Sequence, residues 1–200
     1  VSIDSKNVRR YCLTKINNVK IGNSPFWLKN YLAKFGISSI NNLVDITNYF
    51  MLVSGQPIHA FDLDLINSKK IIISDQTDSE FETLSNQQCQ TNKSLSISDG
   101  IGPVALAGII GGKRTSVSFE TKDILLECAS FNPESIRKSS KHLNISTESS
   151  FRFERDVPPN LTRINIINAA NLIADFCGGE ISNEIYDSNI DIKNLDPIKI

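Results

Sequence analysis

From residue 24 onward, apolar positions recur every three or four residues. Trp27, Leu28, Tyr31, Leu32 and Phe35 make one stripe at helical spacing. Ser24 is placed to cap this helix, Pro25 fits its first turn, and Gly36 ends it. The stretch INNLVDITNYFMLVSG keeps the period through Leu43, Ile46, Tyr49, Phe50 and Val53 and stops at Gly55, which predicts a second helix. After HAFDLD the pattern changes. KKIIIS, EFETL, SLSIS, PVALAGII and DILLECASF are short β-branched and apolar runs with polar or glycine-containing links. They predict strands between residues 69 and 131, several of them antiparallel. Asn132-Pro133-Glu134 opens a short helix to about His142, and TESSFRFER predicts a further helical turn or two. NLTRINIINAANLIADFC, ending at Gly178, predicts a long helix with Leu161, Ile164, Ile167, Ile173 and Phe176 turned inward. From Glu180 the chain reads as strand and loop. The expected fold class is α+β: layered, mostly antiparallel central strands packed with N-terminal and C-terminal helices.

Composition narrows the partners. The hydrophobic content of 40% suits a globular chain, and no apolar run is long enough to span a bilayer. The net charge of −1 is too small for a broad grip on phosphates, so any nucleic-acid contact should be small or shared with other domains. Cys12, Cys89, Cys128 and Cys177 form no CxxC pair, which argues against zinc and disulfides and for a reducing compartment, hence a cytoplasmic location. The chain opens on Val1 and its only methionine is Met51. We expect a piece of a longer protein, organised as one domain over 1–200, with proteolytic maturation as the alternative.

Four places could carry chemistry. Glu127 interrupts the apolar run ILLECASF, and a lone buried carboxylate costs several kcal/mol unless paired. It is either bridged to Arg137, Arg152 or Arg155, or aimed into a pocket to accept a ligand hydroxyl. ALAGIIGG, with Ala107, Gly108 and Gly111, lacks the GxGxxG spacing; its small residues allow close backbone approach to a ligand or simply tight packing. In ISTESSFRFERD, Thr147, Ser149 and Ser150 offer hydroxyls that are ordinarily caps. His59, in GQPIHAFDLD, is followed by Asp62 and Asp64 at a spacing that matches no zinc pattern. A buried, hydrogen-bonded ring is the ordinary reading, with Asp62 or Asp64 capping the next turn of chain. His142 fits a C-terminal cap.

NNLVDITNY, GQPIHAFD, VALAGIIGG, TSVSFET, LLECASFNPESIR and TESSFRFER occur in one order from about Tyr11 to Gly179. In that order they resemble the editing domain of bacterial phenylalanyl-tRNA synthetase β subunits. The resemblance implies hydrolysis of tyrosine wrongly esterified to the tRNA for phenylalanine. It implies that Glu127 receives the tyrosine hydroxyl, with Ala107, Gly108, Gly111 and Ser149 around the amino acid. His59 and Thr147 would line the pocket near the scissile ester as its catalytic residues. The implied partners are the tRNA acceptor end carrying tyrosine, the α subunit and the other β-subunit domains. No cofactor is expected in this domain; ATP and magnesium would serve other parts of the enzyme, and no membrane is involved. The alternatives are a non-catalytic module positioning the acceptor end, as in a synthetase or a tRNA-modifying enzyme, and a free-standing deacylase. The chain departs from the family pattern at Ser38, where GISSINN replaces GIRPINN, at Ser149 for alanine, and at Asp156 for glycine.

Overall fold

The computed structural model describes residues 1–75 and 78–188. In chain order the elements are β1 (Ser2–Asp4), β2 (Val8–Asn17), α1 (Phe26–Ala33), α2 (Asn42–Ser54), β3 (Ile58–Asp62), β4 (Ile72–Ser74), β5 (Glu80–Glu82) and β6 (Gln88–Gln90). They continue with β7 (Ser96–Ser98), β8 (Pro103–Leu106), β9 (Ile110–Gly111), β10 (Ile124–Phe131), α3 (Pro133–Leu143), α4 (Glu148–Phe153), α5 (Thr162–Cys177) and β11 (Glu180–Asp187). The fold is α+β.

One antiparallel sheet, in the order β11-β2-β10-β3, divides the core. Every residue of β10 is buried, so both faces of the sheet are covered. On one face Cys12, Ile16, Ala60, Leu126 and Cys128 pack under α1, α2 and α5 through Leu28, Leu32, Leu43, Ile46, Ala169 and Ile173. On the other, Tyr11, Leu13, Phe61, Leu125, Ala129 and Phe131 meet Ile73, Ile97 and Leu106 of a second sheet. That sheet runs β1-β4-β7-β8-β9, with β1 parallel to β4 and the other pairs antiparallel. Each large apolar side chain fully buried in these layers stabilises the fold by roughly 1.5–3 kcal/mol.

Several expected helix signals are present. Gly55 closes α2 at φ +74° as expected, and Asn41, a cap that the sequence reading does not name, accepts from the Val44 amide at 2.8 Å. Asn132 caps α3 with Pro133 in the first turn, and Asn144 in the left-handed region stops the helix just past His142. Ser24 is not the cap of α1. Its hydroxyl instead donates at 2.5 Å to the buried carboxylate of Asp45 on α2, which also accepts from Ser39 Oγ and the Ile40 amide. Asp45 thereby pins the segment joining α1 to α2, where Ser38 is exposed.

The inward stripe expected for α5 is also corrected. Leu161, Ile164 and Phe176 are exposed and Ile167 is half-buried; of that set only Ile173 is fully inside. The buried face is Thr162, Ile166, Ala169, Ala170, Ile173 and Cys177. Small residues let the helix approach the sheet, and they carry less hydropathy than the leucines and isoleucines they displace. Strands also flank the helices: β2, ahead of α1, lies at the centre of the main sheet, and β11, the strand expected from Glu180, lies at its edge after α5. The expected loop after residue 188 lies outside the described residues.

Candidate functional site

β2 and β3 flank β10 and bring chemistry to one point. Glu127 lies directly opposite His59 on β3 and opposite Leu13 on β2. Gln56 fixes this arrangement from the end of α2: its Nε2 donates to the carbonyls of Pro57 and Ala129. Alternation along a strand puts Tyr11, Leu13, Glu127 and His59 on the same face, towards the second sheet.

A cavity of about 480 Å³ opens there. Its walls are α2 (Leu43, Val44, Thr47, Asn48, Met51), β3, the β8–β9 turn and α4 (Thr147, Ser149, Phe153). Among the described lining residues only Glu127, His59 and Glu148 carry titratable groups. The size suits a small organic ligand, and the lining is mostly apolar with a few polar groups to orient it.

Glu127 is 6% exposed and meets no arginine. Arg152 pairs with Glu148, and Arg155 with Glu154 while stacking over Phe151. The Tyr11 hydroxyl donates to Glu127 Oε2 at 3.0 Å. Among the described residues Oε1 has no partner, and it is not sealed from open space. Burial raises the carboxyl from 4.5 to about 7, against a smaller opposing effect of the Tyr11 hydrogen bond.

His59 is half-buried, yet its Nε2 is closed to solvent and lacks a partner among the described residues. The ring stands edge-on to Phe61, centroids 4.4 Å apart. Burial lowers its pKa from 6.5 to about 4, so the imidazole is neutral near pH 7. Gly111 allows the ring to sit where it does: a Cβ there would lie 2.7 Å from His59 Cε1. Gly108 turns the β8–β9 connection at φ +69°, and a Cβ would crowd Phe131 and Phe153 at 3.0 Å. The buried hydrogen-bonded ring expected for His59 is therefore half right: buried at Nε2, and unbonded there.

Asp62 caps the turn that leads out of β3. Its Oδ1 accepts from the Asp64 amide, and its Oδ2 accepts from Thr121 Oγ1 at 2.6 Å. Thr147 caps α4, accepting from the Ser150 amide at 3.1 Å and donating to the Ile109 carbonyl at 2.7 Å. That second bond ties α4 to the β8–β9 turn and holds two cavity walls together. Ser149, half-buried beside it, has no hydrogen-bond partner among the described residues. Of the site residues read from sequence, the cavity reaches His59, Thr147, Glu127, Gly111, Ser149 and Gly108. Ala107 it does not reach: it is 1% exposed in the core, with its amide on Leu95 O at 2.9 Å. Asp156 has φ +74° and pairs with Arg9, a backbone conformation where the resemblance expects glycine.

Two contributions are not legible in the sequence. The cavity face of α2, including the half-buried Asn48, reads there only as core stripe. Tyr11 is the other, and its only signal is an aromatic hydroxyl within the strand-like run VRRYCLTKI.

The family model for the B3/4 domain matches residues 7–178. The chain is 44% identical over 200 residues to the phenylalanine–tRNA ligase β subunit of Clostridium tetani, covering 98% of this chain and 25% of that protein. It is 46% identical over 180 residues to the β subunit of Bdellovibrio bacteriovorus, covering 89% of this chain and 22% of that one. The chain thus spans about a quarter of the length of the curated relatives it matches. Among solved structures, an N-terminal fragment of the phenylalanyl-tRNA synthetase β subunit from Pyrococcus horikoshii shares the fold at a TM-score of 0.56 and 12% identity. That match covers 94% of this chain and 53% of the fragment. Among the described residues no helix is long and apolar enough to cross a membrane.

Proposed function

This chain belongs to the B3/4 domain family, and from that premise we propose that it is the editing part of a phenylalanine–tRNA ligase β subunit, hydrolysing tyrosine wrongly esterified to the tRNA for phenylalanine. The need is physical. A synthetic site shaped for phenylalanine rejects an isostere bearing one more hydroxyl only about a hundredfold. A second site that hydrogen-bonds the phenol asks the opposite question. Phenylalanine entering it leaves a polar group unpaired, so discrimination reaches about ten-thousandfold.

The observation that carries this reading is Glu127: a buried carboxyl on the wall of a mostly apolar cavity, with Oε2 engaged by Tyr11 and Oε1 unpartnered. Oε1 accepts the substrate phenol. The aromatic ring lies against the apolar walls, and the ester points toward the polar groups of His59 and α4. His59 orients a water or ribose hydroxyl through Nδ1, the ring nitrogen that is not closed to solvent. A ring with a pKa of about 4 is a weak general base at neutral pH, so His59 positions more than it abstracts. An ester is already activated, and a held water beside a ribose hydroxyl suffices. Thr147 acts by fixing α4 against Ile109, its hydroxyl already engaged as donor and acceptor.

The reading asks no cofactor of this domain. ATP, magnesium and phenylalanine activation belong to the remainder of the ligase, with the α subunit and the other β-subunit domains as partners. Those parts also supply the phosphate contacts that a chain of net charge −1 cannot.

The test uses the assembled ligase containing this chain. Purified tyrosyl and phenylalanyl esters of the same tRNA are offered, and deacylation is timed. The tyrosyl ester is hydrolysed at least about a hundredfold faster. Equal rates, or no hydrolysis of either ester, would leave only a module that positions the acceptor end.

A further inference from the structure

We propose that Tyr11 is a specificity-determining positioning residue of this site: its phenol permanently occupies one oxygen of Glu127 and leaves the other as the single acceptor for a substrate hydroxyl. The inference rests on the editing reading above.

Tyr11 is fully buried in an apolar cluster between the two sheets. A phenylalanine would fill the same space without desolvating a hydroxyl, which costs about 1–3 kcal/mol when left unpaired. Among the described residues the Tyr11 hydroxyl makes one side-chain hydrogen bond, to Glu127 Oε2 at 3.0 Å. Tyr11 pairs with Ala129 across the sheet, so it reaches Glu127 diagonally from β2, while His59 faces Glu127 directly from β3. The carboxyl is therefore anchored at one oxygen from the β2 side. A resident phenol at Oε2 and a visiting phenol at Oε1 then donate to the same carboxylate. A bare ring offers nothing to Oε1.

The hydrogen bond also favours the ionised form that accepts. Burial pushes Glu127 up to about 7, and Tyr11 holds it lower than burial alone would. The other titratable groups facing this carboxyl are His59 of β3, neutral here, and Glu148 of α4 across the cavity. The α2 and second-sheet walls contribute none.

The experiment measures the ratio of tyrosyl- to phenylalanyl-ester hydrolysis against pH in the assembled ligase. Tyr11→Phe keeps the ring and removes the phenol. The ratio falls about tenfold at neutral pH, and the pH at which it reaches half its plateau moves up. Replacing Tyr11 by 3-fluorotyrosine, a more acidic donor of nearly the same shape, moves that pH down. A Tyr11 that only packs would leave the ratio and its pH midpoint in Tyr11→Phe at parental values, whatever the melting temperature, which overturns the proposal. If Tyr11→Phe does not fold, the direction of the shift in the fluorinated protein decides alone. A parent enzyme with no preference for the tyrosyl ester removes the editing reading and this proposal together. A parent with that preference, unchanged in Tyr11→Phe, removes the Tyr11 assignment only.

Discussion

In the assembled ligase, Glu127→Ala slows hydrolysis of the tyrosyl ester by about a hundredfold, equivalent to about 2.7 kcal/mol of transition-state stabilisation. Hydrolysis of the phenylalanyl ester changes little, because that ring makes no bond to the carboxyl. The variant therefore loses discrimination and keeps its residual chemistry. The loss follows from where Glu127 sits. An acceptor exposed to water would be exchanged for solvent at little cost, whereas one at 6% exposure on a mostly apolar wall is not replaced as easily. Glu127→Gln separates shape from charge. Its amide keeps an acceptor oxygen but loses the charge-assisted bond, and tyrosyl hydrolysis falls about tenfold. Deacylation time courses with both esters check each variant. An undiminished tyrosyl rate in Glu127→Ala would remove the phenol-recognition role.

The second large effect is on stability, and it has opposite signs at the two facing residues. Burial raises Glu127 to about 7 from 4.5, so the folded state holds a proton that the unfolded chain has released. Folding stability from this group is complete below pH 4.5 and is lost as the pH rises to 7. Burial lowers His59 to about 4 from 6.5, so the unfolded chain takes up a proton that the folded state refuses. Stability from His59 is complete above pH 6.5 and is lost as the pH falls to 4. Each is worth about 3 kcal/mol over its window, and in the parent the two slopes oppose and nearly cancel. Single variants expose them. Relative to the parent, Glu127→Gln is more stable by about 3 kcal/mol at pH 8, and the gain vanishes by pH 4.5. Relative to the parent, His59→Phe gains about 3 kcal/mol as the pH is lowered from 6.5 to 4. Urea unfolding across that range measures both differences. A difference that does not vary with pH would show that the residue is not buried as described. On the proposed function, the Glu127 result would also be the cost of the site: a carboxyl that weakens the fold at neutral pH stands where it accepts the substrate phenol.

How much of the fold and the site is legible in the sequence depends on how local each signal is. Gly55, Asn132 and Asp62 act on backbone a few residues away, and their caps and stops follow from short-range chemistry. Glu127 announces itself because a carboxylate in an apolar run is costly. Its partner does not, since Tyr11 lies 116 residues away along the chain. β2 is hidden for a related reason. Buried on both faces, it shows no clean alternation, and its charge at Arg10 is matched by Asp187, 177 residues distant. On α5 large apolar residues draw the stripe to the wrong face, because close packing against the sheet selects alanine at Ala169 and Ala170. Ala107 reads with the glycines beside it, yet the chain reverses at Gly108 and turns Ala107 into the core. Thr147 reads both as a cap and as a site residue. The structure shows the cap, and shows it holding a cavity wall.

The most direct test is a crystal structure of this chain soaked with free tyrosine and, separately, with phenylalanine. The account predicts tyrosine in the cavity beside His59 and Gly111, its phenolic oxygen within hydrogen-bonding distance of Glu127 Oε1, and no phenylalanine at the same concentration. Tyrosine bound with its ammonium group on Glu127, or both amino acids bound alike, would contradict it.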